Sequence, residues 1–136
     1  MTGVQTCALP IYHFDMLRLM YLVATIYKDA RLDVSVMPPE RALEMATLLG
    51  AEALLLETAI GSIEPGKRAD LVLYDLDVPE WRPLLNPVNN LVYAATGASV
   101  RTVLIDGRVV LDEGRLTTLD ERALYARVER LSGEHV

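Results

Sequence analysis

Apolar positions along the chain alternate between helical and strand spacing, and the switch divides it. From His13 to Arg31 the run HFDMLRLMYLVATIYKDAR places Phe14, Leu17, Met20, Tyr21, Ala24 and Tyr27 on a helical stripe. Met16, Leu19, Leu22, Val23 and Ile26 fill much of the opposite side. A helix apolar nearly all round belongs inside a larger protein or in a membrane. The apolar stretch 19–27 falls far short of the ~20 residues a bilayer requires, so the pattern predicts a buried helix. A loop, RLDVSVMPP, follows, and Pro38 and Pro39 suit a helix start. The spacing predicts a helix over 40–49 ended by Gly50 at the position after the cap, then a short helix over 51–56. Residues 61–67 form a turn with two glycines and a proline.

The second half changes period. Residues 69–75, ADLVLYD, have strand composition. A proline-punctuated loop over 78–83 carries Trp81, and a helix is expected over 87–95. Residues 102–106 and 108–112 flank Asp106-Gly107, a strong hairpin signal. Gly114 serves the next turn, over 112–115. Thr118-Leu119-Asp120-Glu121 has capping-box spacing and opens a last helix with Leu124, Val128 and Leu131 on one face. Strands grouped together, rather than alternating with helices, exclude a complete doubly wound domain.

Composition narrows the function. A length of 136 residues and a 51% hydrophobic content exclude a disordered chain. A net charge of −6 argues against nucleic-acid binding. No segment has membrane length, so no membrane partner is expected. The absence of a targeting segment points to a cytoplasmic parent. One cysteine excludes a disulfide framework, and two histidines, His13 and His135, cannot complete a histidine-built metal centre.

Residues 1–11, MTGVQTCALPI, carry no charge and no period. They resemble a translated short-read sequencing adapter, with the frame running on into Tyr12. Cys7 then carries no information about redox chemistry, and the remainder is expected to be a C-terminal fragment of a longer protein.

The stretch GSIEPGKRADLVLYD, residues 61–75, is similar to the signature that follows the barrel in the amidohydrolase superfamily. It most resembles the branch of cytosine, guanine and S-adenosylhomocysteine deaminases and triazine hydrolases. PERALEMATLLGA (39–51), NPVNNLVYAATG (86–97) and VRTVLIDGRVVLDEG (100–114) resemble further segments of that branch, in the same order. HFDML (13–17) resembles the segment just after the last barrel strand. One departure stands out: the family usually has glycine where this chain has Leu55, which implies that the helix runs on or ends differently.

The resemblance implies an α/β fold. This chain would hold the last helical part of a (β/α)8 metallo-hydrolase barrel and the C-terminal portion of a small β-sandwich built from both chain ends. The expected divisions are 12–60 for the barrel helices, 61–117 for β-domain strands with an inserted helix, and 118–136 for the last helix and tail. The parent would use a divalent metal, Zn or Fe, to activate water against a C–N bond of a small molecule with a purine- or triazine-like ring. Its assembly as a homo-oligomer stays open. The family's ligands are a His-x-His pair, two later histidines and an aspartate, and none matches a position here. No catalytic, cofactor-binding or metal residue is therefore assigned to this chain, no cofactor is expected in it, and by itself it is expected to be inactive.

The remaining polar residues have structural readings. Lys67, Arg68 and Asp70 fit a solvated turn, and Asp106-Gly107 is turn chemistry. Asn86, ahead of Asn89 and Asn90, fits a helix cap. Asp15 fits a supporting place near the parent's pocket, and Trp81 fits a loop anchor against the small domain. The competing reading of the whole chain is a non-catalytic module for packing or assembly.

Overall fold

The structure, a computed structural model, describes residues 14–133. They fall into two compact units. The helical unit comprises residues up to 67 together with 76–99, and the sheet unit comprises 68–75 together with residues from 100 onward. The segment 76–99 clusters with the helices.

The helical unit opens with α1, Met16–Arg31, capped by the Asp15 carboxylate, which accepts from the Arg18 N–H at 3.2 Å. The helix is less buried than its composition implies. Leu19, Met20 and Ala24 are withdrawn from solvent, but Met16, Tyr21 and Ile26 are exposed. Helix α2, Pro39–Ala46, begins on proline, whose missing N–H costs nothing in the first turn. It stops at Thr47 (φ −122°, ψ −90°), whose hydroxyl donates back to the Leu43 carbonyl at 2.7 Å.

Helix α3, Leu48–Ala53, follows at once. Gly50 therefore lies inside α3 rather than after a cap. A side chain there would crowd the Met45 carbonyl at 3.2 Å, just upstream of the break.

The end of α3 corrects the expectation for Leu55. The Leu56 N–H donates to the Ala51 carbonyl at 2.9 Å and the Leu55 N–H to Glu52 at 3.0 Å. That pair of bonds is the Schellman stop, and Leu55 takes the left-handed conformation a glycine would take there (φ +58°). The helix ends as it would with glycine, with a leucine in the strained position.

After a 3-10 turn, Pro79–Trp81, and a cis Arg82–Pro83 bond, helix α4, Pro87–Asn89, continues into a π-helical turn, Asn90–Ala94. Met20 and Ala24 of α1, Ala42 of α2 and Val92 of the π-helical turn form the core, flanked by Leu17, Leu43, Val88 and Leu91. The Lys28 ammonium donates to the Tyr93 hydroxyl at 2.6 Å and ties α1 to the π-helical turn.

The sheet unit is a four-stranded antiparallel meander: β1, Leu71–Tyr74; β2, Val100–Ile105; β3, Arg108–Asp112; β4, Arg115–Leu116. Val72 faces Val103 across β1 and β2, and Ile105 faces Arg108 across β2 and β3. Both tight turns have two successive residues at positive φ, Asp106-Gly107 (51° and 75°) and Glu113-Gly114 (47° and 73°). This is the requirement of the type I′ turn, whose twist matches that of the flanking strands.

Helix α5, Glu121–Gly133, starts two residues later than the expected capping box allows. The cap is Asp120, whose carboxylate accepts from the Ala123 N–H at 3.1 Å. Aspartate three residues before that amide is as good a cap as threonine.

Candidate functional site

The helical unit carries one open depression of about 250 Å³, between the start of α1 and the π-helical turn. Asp15, Arg18 and Tyr21 border it on one side, and Tyr93, Ala95 and Thr96 on the other. The Asp15 carboxylate caps α1. Among the described residues, no three His, Cys, Asp or Glu side chains come together in a way that could hold a metal ion. His13 and His135 lie outside the described residues.

Lys67 and Asp70 each have their own partners. Lys67 donates to the Ser62 hydroxyl at 2.6 Å and lies 3.5 Å from Glu64, within the helical unit. Hydrogen bonding from Ser62, and then the Lys67 charge, hold the Glu64 carboxyl below its ordinary value. Asp70 belongs to the sheet unit, where its carboxylate accepts the Asp106 N–H at 2.7 Å. The Gly107 N–H reaches the Ala69 carbonyl at 3.0 Å beside it. Ala69 and Asp70 of the signature thus brace the β2–β3 turn as a structural clamp.

Gly61, at the head of the same signature, has φ +95°, and a Cβ there would lie 2.7 Å from that of Ala51. Only glycine lets the turn lie this close against α3.

Asn86 caps α4, accepting from the N–H groups of Val88 at 2.9 Å and Asn89 at 3.3 Å. Asn90 instead reaches back, donating to the Glu80 carbonyl at 3.2 Å. Glu80 is the residue that sequence reasoning missed. One carboxylate oxygen accepts the Thr96 N–H at 3.1 Å and the other the Thr96 hydroxyl at 2.9 Å. Burial raises the pKa of this carboxyl, but hydrogen bonds from Ser99 and Thr96 outweigh it and leave the group below its ordinary value. The clasp holds the turn that carries Trp81, which is 3% exposed. Trp81 lies within the helical unit, in a turn that packs on the π-helical turn. No motif marks Glu80, because its partner Thr96 is sixteen residues away.

The described geometry is thus a scaffold of caps, clamps and one clasp. Comparison with known proteins places it. The model of the amidohydrolase family matches residues 6–110. The 5-methylthioadenosine/S-adenosylhomocysteine deaminase of Moorella thermoacetica is 42% identical over 118 residues, which are 87% of this chain and 28% of that protein. The 5'-deoxyadenosine deaminase of Methanosphaera stadtmanae is 39% identical over 83% of this chain and 26% of its own length. Among solved structures, an adenosine deaminase from Xanthomonas campestris with bound zinc superposes with a TM-score of 0.83. It is 35% identical, and the match covers 88% of this chain and 27% of that one. The zinc complex of atrazine chlorohydrolase TrzN from Arthrobacter aurescens, 23% identical, shares the fold, with a TM-score of 0.75 over 85% of this chain and 26% of that one. The chain spans little more than a quarter of the length of the relatives it matches. With more than half its residues inside the family match, this chain belongs to the amidohydrolase family.

Proposed function

We propose that this chain is the C-terminal part of a metal-dependent deaminase that removes the amino group of an adenosine-like nucleoside by hydrolysis. The observation that carries this reading is the 42% identity to a 5-methylthioadenosine/S-adenosylhomocysteine deaminase across 87% of the chain. In this reading residues 12–60 supply the last barrel helices, and the strands supply part of a small β-domain. The likeness to a zinc-bound adenosine deaminase supports both that architecture and zinc rather than iron in the whole enzyme. The described residues do not offer a set of ligands that fits a metal. Their part is to cap, clamp and pack, while the reacting groups belong to the rest of the enzyme. The chain alone is inactive.

A graft tests this reading. Residues 14–136 replace the matching C-terminal segment of the Moorella thermoacetica enzyme, and deamination of 5'-methylthioadenosine is followed by ammonia release. A folded, zinc-loaded chimera is expected to turn over, whereas the isolated chain is not. A chimera that folds and binds zinc but leaves the nucleoside untouched would overturn the assignment. Turnover by the isolated chain with stoichiometric zinc would overturn its inactivity.

A further inference from the structure

We draw no further inference here: the strongest candidate, the apolar stripe Leu124–Val128–Leu131 on α5, is exposed along its whole length, but nothing in the structure shows what covers it.

Discussion

The helical unit and the sheet unit are held together by different physics. All the buried residues among those described lie in the helical unit: Leu19, Met20, Ala24, Ala42, Ala51, Trp81, Val92 and Ser99. The sheet unit contributes none. Its order comes from ladder hydrogen bonds and two type I′ turns. The Asp70 clamp on one turn and the exposed Arg101–Glu113 ion pair beside the other add to it. The helical unit depends on buried side chains packed together from distant parts of the chain, and the sheet unit on backbone pairing, including the long-range β1–β2 ladder, and on the geometry of its turns. Surface ion pairs such as Arg101–Glu113 add little to stability, which leaves turn geometry as the main local determinant of the strands.

The largest test of this contrast is Trp81→Ala. Removing a buried aromatic leaves a cavity and costs about 3–5 kcal/mol. Chemical denaturation followed by far-UV circular dichroism should show that loss in the helical signal. A cost below about 1 kcal/mol, the level of an ordinary surface change, would mean that the helical unit does not rely on packing there.

A pair of glycines separates the two modes more finely. Gly61→Ala meets both a left-handed backbone and the Ala51 side chain, and should cost about 2–4 kcal/mol. Gly107→Ala meets only the backbone penalty, because nothing lies within 4 Å of the added carbon; about 1–2 kcal/mol is expected. Equal costs, measured by denaturant titration of the two variants, would remove the distinction between a packing glycine and a turn glycine.

The same contrast explains what the sequence made legible. The hairpin around Asp106-Gly107 was readable, because a two-residue turn announces itself locally. The signature at 61–75 and the Asn86 cap were readable for the same reason. The break at Thr47 was not, since the helical period runs through it. Glu80 was not, because its role depends on Thr96 being brought alongside by folding. At the candidate site, Asp15, Asp70 and Asn86 are engaged with backbone N–H groups that folding brings to them, as two caps and a clamp.

Leu55 is where local preference and the fold conflict, so it yields a change of opposite sign. Leu55→Gly keeps the Schellman bonds and removes the left-handed strain from a side chain that is 84% exposed. A gain of about 1 kcal/mol is expected, read as a higher denaturation midpoint with an unchanged slope. A loss would show that the leucine makes a contact that outweighs its strain.

The smallest effect is a pH dependence confined to the helical unit. Asp33, Glu64 and Glu80 all lie there, and hydrogen bonds help to hold each carboxyl below its ordinary value, 3.8 for the aspartate and 4.5 for the glutamates. At Asp33 the hydroxyl of Ser35 is the main cause, followed by its backbone N–H. A lowered folded-state pKa means that the unfolded chain binds protons first as the pH falls. The stabilisation is therefore complete above the ordinary values and disappears as the pH drops through the folded-state values beneath them. Asp33 and Glu64 are solvent-exposed, so screening keeps their share small, and Glu80 should dominate. Denaturation of the native chain at pH 6 and at pH 3 should show a loss in the helical signal that Glu80→Gln largely abolishes. If the variant keeps the full acid sensitivity, the clasp on Thr96 is not its source, and other carboxyls such as Asp33 and Glu64 carry it.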